Sequence, residues 1–296
     1  MQAVGMNLRD TIRELTAAHL DAGHLVCGQC LSAVGFVANT VPNDPRLTEF
    51  PMSDVAQSGF VVGAALVERR PLYILRYQGF SWFNLPIILN YAAKSKAIWG
   101  RPCPLLIRSI AMEGRIGPTS GSSHHALAYR MPGVKIFAPM TPWEWKVAYE
   151  DFMASDDVML LSEHRSAYDN ELEMPDSFDG GDITLYPISV TRFAAKQAAI
   201  QLRNEGIAVN VVHLHELKPL YMPYLSTTKY GIVIDDDYPD GIAKSLAFDI
   251  QKLTGSQMSV MGLENRTAGF AAHLDNLPPT AEEIAAHVRR ELGMTR

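Results

Sequence analysis

The chain has 296 residues, 47% of them hydrophobic, enough to bury one large core or two ordinary ones. Its net charge is −6, from 26 Lys+Arg against 32 Asp+Glu, and it carries no long basic run, which argues against nucleic acid or an acidic membrane surface as partner. No apolar run approaches the ~20 residues of a spanning helix and the N-terminus lacks the basic-then-apolar order of a signal peptide, so a cytoplasmic protein is expected.

In chain order, LRDTIRELTAAHLDAG has helical spacing, HLVCG is an apolar strand, and DVAQSGFVVGAALVE is a helix rich in small residues. PLYILRY is a strand, NLPIILNYAAKSKAIW a helix and PCPLLIRSI a strand. PGVKIFAP follows as a strand after a Pro-Gly turn, then TPWEWKVAYEDFMAS as a helix and DVMLLSE as a strand. This alternation predicts a parallel sheet covered on both faces. The pattern breaks at EMPDSFDGGDI, the expected linker. A second alternation then runs through TRFAAKQAAIQLRNEG, IAVNVVHL, YGIVIDDD, GIAKSLAFDIQKL and SQMSVMGL to the final helix TAEEIAAHVRREL. The expected architecture is two doubly wound α/β domains, residues 1–172 and 183–296, joined by a linker at 173–182.

The common nucleotide and hydrolase signatures G-x-G-x-x-G, G-x-x-x-x-G-K-[ST] and G-x-S-x-G are absent. Cys27 and Cys30 form a C-x-x-C, but only Cys103 remains to complete a zinc site, and the segment reads as a strand entering a loop, so the spacing is taken as chance. His213 and His215 lie two apart with Glu216 beside them and lack a third ligand of the right kind; they read as structural.

Three segments carry candidate chemistry. GRIGPTSGSSHHALAYRMPG is a Gly/Ser-rich loop running into a helix, with His124 and His125 as candidate proton carriers. In LTEFPMSDVAQSGFVVGAAL, Ser53 and Asp54 open a helix bearing Gly59 and Gly63; Asp54 is either a helix-capping acid or a functional carboxylate. RYQGFSWFN gathers aromatic side chains at the end of a strand, where ligands of open α/β sheets sit.

Taken in order, FPMSDVAQSGFVVGAA, YQGFSWFN, NYAAK, MPGVKIFAPMTPWEWK, LLSEHR and NEGIAVNVVHLHELKPL resemble the beta subunit of the pyruvate and branched-chain 2-oxoacid dehydrogenase first component, among the transketolase-like thiamine enzymes. GPTSGSSHHALAYR is similar to the Gly-Pro-Thr-His segment of transketolases and deoxyxylulose-phosphate synthases. The resemblance implies an N-terminal pyrimidine-binding domain and a transketolase C-terminal-like domain. It implies thiamine diphosphate as cofactor, its aminopyrimidine ring stacked on Phe80, with Phe83, Met52 and Arg76 nearby and Gln29 close to the activating carboxylate. Such a carboxylate, hydrogen-bonded to a ring nitrogen, favours the imino tautomer that takes the thiazolium proton, and the cofactor then serves as electron sink.

Two positions depart from the family pattern. Asp54 stands where the family has the activating Glu, keeping the charge with a shorter reach. Ser120 stands where the Gly-Pro-Thr-His segment has its His, and a hydroxyl is no base near pH 7. His124, four residues on, is the candidate replacement. The family's Gly-Asp-Gly segment, which holds diphosphate and Mg²⁺, occurs nowhere in the chain. The resemblance therefore implies an alpha-type partner subunit carrying that domain, in an alpha2beta2 assembly. Two chemistries fit, 2-oxoacid decarboxylation with acyl transfer or ketol transfer as in a split transketolase, and the alternative is a non-catalytic regulatory or scaffold subunit.

Overall fold

The computed structural model describes residues 5–113, 121 and 123–294. Eleven strands are formed among them: β1 (Val26–Gln29), β2 (Thr48–Phe50), β3 (Leu72–Leu75), β4 (Leu105–Ala111), β5 (Val134–Phe137), β6 (Val158–His164), β7 (Ile183–Pro187), β8 (Val209–Val211), β9 (Glu216–Lys218), β10 (Tyr230–Ile234) and β11 (Gln257–Met261). They make two sheets, ordered β2-β1-β3-β4-β6-β5-β9 and β11-β10-β7-β8. Every pairing is parallel except that of β9, which runs antiparallel to β5. The doubly wound α/β architecture expected from the alternation is present in both sheets. The central strands β3, β4 and β6 are apolar-rich and buried along their length, as strands covered on both faces must be.

Strand β9 ties the two halves together, because it follows β8 of the second sheet in sequence yet pairs with the first. One apolar cluster also spans both sheets, joining Ile136 and Leu160 to Ile188, Leu214, Val233 and Leu246. A buried ion pair reinforces the junction. Arg192, on the helix Thr191–Asn204, donates through Nη1 and Nη2 at 2.7 and 2.5 Å to the carboxylate of Glu144, on the helix Pro142–Ala154. Thr141 caps that second helix and Pro142 begins it, so the sequence TPWE sets where Glu144 stands. A bidentate pair with both charges buried is costly to break from one side.

Two local features differ from the sequence pattern. The apolar run after residue 83 forms two helices, Ser81–Asn90 and Ala92–Trp99, rather than one. Pro86 lies inside the first and the Asn90 side chain donates to its carbonyl, competing with the backbone for the last turn. After β1 the chain turns through Gly35–Asn39 with every φ between 51° and 62°, a left-handed turn with Val37 buried at its centre. Non-glycine residues resist that conformation by roughly 1–2 kcal/mol each, so burial and hydrogen bonds must hold it. Arg9 donates to the Ala38 carbonyl and buried Arg108 to Thr40 Oγ1. Among the described residues no helix is long and apolar enough to cross a membrane.

Candidate active site

The carboxyl ends of β1 and β3 bring the first group of candidate residues together. Gln29 closes β1, Asp54 opens the helix Asp54–Leu66, and the chain leaving β3 passes through Arg76 and Phe80 into the helix Ser81–Asn90. Gln29 donates through Nε2 to Asp54 Oδ1 at 2.9 Å, and Asn84 donates through Nδ2 to the same oxygen at 2.8 Å. Asn84 Nδ2 also reaches the Phe80 carbonyl at 2.9 Å, which couples the aromatic corner to the carboxylate. Behind it, the buried Tyr73 hydroxyl donates to Asn84 Oδ1 at 2.5 Å, and Gln57 donates to Gln29 Oε1 at 3.3 Å. Burial raises the Tyr73 hydroxyl above its ordinary pKa, so it stays a donor.

This network decides what Asp54 does. Ser53 makes no side-chain cap on the helix, and Asp54 Oδ1 accepts two side-chain amides instead of backbone N–H groups. Among the described residues nothing donates to Oδ2. Asp54 is thus a half-buried carboxylate with one oxygen fixed by two amides, and its second oxygen has no donor among the described residues.

The remaining aromatic-corner residues are placed unevenly. Phe80 is half-buried and meets Tyr77 edge-on at 5.7 Å. Arg76 lies 4.6 Å over the Tyr77 ring, its Nε buried without a partner among the described residues. Met52 and Phe83 are on the surface, 65% and 53% exposed. Ser120 lies outside the described residues.

His124 and His125 have opposite electrostatic fates. The His124 ring stands edge-on to Trp82 at 6.3 Å, and its Nε2 is buried without a partner among the described residues. Burial, then the charge of His125, brings its pKa down to about 4, leaving a neutral imidazole. Its backbone N–H donates to Gln78 Oε1 at 2.6 Å, while Gln78 Nε2 donates to Ser162 Oγ at 2.7 Å. His125 is fully buried, with Nδ1 3.0 Å from Ser162 Oγ and Nε2 3.1 Å from Asp235 Oδ1. Burial works against its charge, yet Asp235, with Asp237 and Asp236 beyond, holds its pKa up at about 9. His125 thus bridges the first sheet to the end of β10.

His125, Asp235 and Asp236 place ligand-type atoms within 4.8 Å of one another. An imidazolium that donates to Asp235 has no lone pair there for a metal, so the group is read as an ion-paired latch. His213 and His215 gather instead around the junction: His213 Nδ1 accepts from Arg192 Nε at 3.2 Å, and His215 Nδ1 is 3.8 Å from Glu144.

Sequence reasoning missed Asn84, Tyr73 and Gln78. Asn84, set within the apolar run SWFNLPIILN, was the signal available, since a polar side chain on a buried helix face needs a partner. The three acids after YGIVI were a second such signal.

The family described as Transketolase, pyrimidine binding domain matches residues 9–170. The chain is similar to the acetoin:2,6-dichlorophenolindophenol oxidoreductase subunit beta of Cupriavidus necator, 26% identical over 273 residues, covering 83% of this chain and 80% of that protein. It is also similar to the 2-oxoisovalerate dehydrogenase subunit beta of Bacillus subtilis, 26% identical over 253 residues, with 74% of this chain and 77% of that protein covered. The pyruvate dehydrogenase E1 component subunit beta of Rickettsia felis is 22% identical over 270 residues, 83% of each chain. Among solved structures, a split gene transketolase in an inactive beta4 tetramer superposes with a TM-score of 0.73 at 17% identity, over 99% of this chain and 100% of that one. At that identity the likeness establishes the fold.

Proposed function

The chain belongs to the transketolase pyrimidine-binding-domain family, and from that premise we propose that it is the beta-type subunit of a two-chain, cytoplasmic thiamine-diphosphate enzyme. The observation that carries the reading is the Asp54 carboxylate, fixed through Oδ1 by Gln29 and Asn84 and open at Oδ2. Thiamine diphosphate, when bound, supplies an electron sink for cleaving a bond next to a carbonyl. Asp54 would hold the aminopyrimidine through a ring nitrogen, Phe80 would stack on it, and Arg76, Met52 and Phe83 would complete the pocket once a partner covers them. His124, a neutral imidazole whose Nε2 has no partner among the described residues, is proposed as the group that accepts a proton from substrate. Ser120 is proposed only as a hydrogen-bonding group.

Diphosphate and Mg²⁺ fall to an alpha-type partner, a role supported by the absence of a Gly-Asp-Gly segment from this chain. An alpha2beta2 assembly is proposed, closed two-fold oligomers being the commonest. The names of the relatives favour a 2-oxo acid or acetoin over a ketose phosphate as substrate. Assay of the assembled complex on pyruvate-like acids, acetoin and ketose phosphates tests this: turnover of the first two supports the reading, and turnover of ketose phosphates alone overturns it in favour of a split transketolase. A second reading, a non-catalytic subunit, draws on Asp54 and Ser120 standing where the family pattern has Glu and His. It requires that the assembled complex gain no thiamine-diphosphate site from this chain.

A further inference from the structure

Beside the junction of the two sheets, and sharing no lining residue with the Asp54 network, lies a cleft of about 690 Å³. That volume is within the range of small-molecule sites. Its walls are aromatic. Trp143, at the start of the helix Pro142–Ala154, is 56% exposed, and Phe178, Tyr221 and Tyr224 are also exposed around the opening. Phe178 and Tyr224 meet edge-on at 6.2 Å, and Trp143 meets His215 edge-on at 6.3 Å, so neither pair is stacked face to face.

The charge of the cleft is one-sided. Four carboxylates line it, and among the described residues no Lys or Arg does. Glu144 is neutralised from behind by Arg192, whose third nitrogen is spent on His213. Burial and the adjacent Arg192 push the His213 pKa down to about 3, so that ring brings no charge. Glu173, Asp176 and Glu216 are left. Among the described residues Glu173 accepts only the Trp143 N–H and Asp176 the His213 N–H, and the nearest cationic candidate to Glu216 is His215 at 3.9 Å. Burial raises both Asp176 and Glu216 above their ordinary values, despite the opposing pull of His215 and Arg192 on the first and of His215 and Lys135 on the second.

We propose that this cleft binds a small organic cation with a flat apolar body, an aryl- or alkyl-guanidinium or ammonium, held between the aromatic walls and the Glu173, Asp176 and Glu216 carboxylates. Ring faces attract a cation through their quadrupole, and a guanidinium donates to carboxylate oxygens in a fixed fork. A neutral molecule of the same shape has no charge for the ring quadrupoles to attract, and its hydrogen bonds to the carboxylates lack charge assistance, so charge is what the site selects.

Calorimetric titration of the full chain with phenylguanidinium and with neutral, near-isosteric phenylurea tests this. One phenylguanidinium should bind per chain, with phenylurea at least about tenfold weaker. The double variant Asp176→Asn/Glu216→Gln and, separately, Trp143→Ala should each weaken phenylguanidinium at least about tenfold while the melting transition is retained. Trp143 is exposed and Asn keeps the acceptor for His213, so both variants are expected to fold. Equal binding of phenylurea, an unchanged affinity in the double variant, or no binding of phenylguanidinium to the wild-type chain would each overturn the proposal.

Discussion

Asp54 shows what one side chain's surroundings add to its identity. From the local sequence alone, a carboxylate at a helix start is better explained by capping than by catalysis. The hydrogen bonds separate the two, since Oδ1 takes side-chain amides from Gln29 and Asn84 and no backbone cap is made. Asp54→Asn should keep an acceptor at Oδ1, so the melting temperature should stay close to wild type. Removing the negative charge should nevertheless lower turnover of the assembled complex by at least ~10²-fold, the usual scale for a positioned acid–base group. Wild-type turnover in that variant would take Asp54 out of the mechanism. Gln29 was legible only through the family resemblance, which set it close to the activating carboxylate. Asn84 was not, because its partners come from β3 and from the helix start, and nothing local in SWFNLPIILN points to either.

At the scale of elements, two structures carry consequences beyond packing. The end of β10 places Asp235, Asp236 and Asp237 in the interior, where His125 from the other sheet answers them. His125 holds a raised pKa of about 9, so its contribution to stability is complete below its unfolded value near ~6.5 and is lost as pH rises through the folded value. Burial raises Asp236 and Asp237 as well, to about 6 and 7, with the same sign for a carboxyl, but their share is lost mainly below pH 7, so the fall above it is carried by His125. The melting temperature should therefore fall between pH 6.5 and 9.5, and His125→Gln should flatten that fall. A wild-type transition that climbs over this range would contradict the latch.

The helix Asp54–Leu66 is the second such element. It turns Gly59 and Gly63 outward, where an added Cβ would meet no atom within 4 Å, among exposed Phe60, Leu66, Val67, Tyr91 and Trp99. An apolar face of this kind on a lone chain marks a contact surface. Gly59→Leu should leave the melting temperature of the isolated chain unchanged or slightly raised, since Gly weakens a helix interior by roughly 0.5–1 kcal/mol relative to Ala. Association with the partner, followed by sedimentation, should be lost. Assembly at wild-type strength would move the contact elsewhere. The spacing of the two glycines was plain in the sequence, whereas the left-handed turn at Gly35–Asn39 was not. Gly35 and Asn39 accept that conformation readily but Phe36, Val37 and Ala38 do not, and the contacts from Arg9 and Arg108 and the packing of Val37 that help hold it are not local in sequence.

For the whole molecule, alternation of apolar strands and amphipathic helices conveyed two doubly wound sheets because each element's period is local. The way the sheets lock was hidden. Strand β9, the Glu144–Arg192 pair and the His125–Asp235 latch all join residues far apart in sequence, and no periodicity encodes them. The result is two joined sheets with one oriented carboxylate and surface-exposed Met52 and Phe83, proposed to be a half-site that a partner covers. A titration of thiamine diphosphate with Mg²⁺ into the lone chain, and into the chain mixed with the partner that carries the Gly-Asp-Gly segment, tests that reading most directly. Binding should be weak for the lone chain and tight, Mg²⁺-dependent and one per chain in the mixture. Tight Mg²⁺-dependent binding by the lone chain would contradict the half-site, and absence of binding in the mixture would leave the chain a non-catalytic subunit.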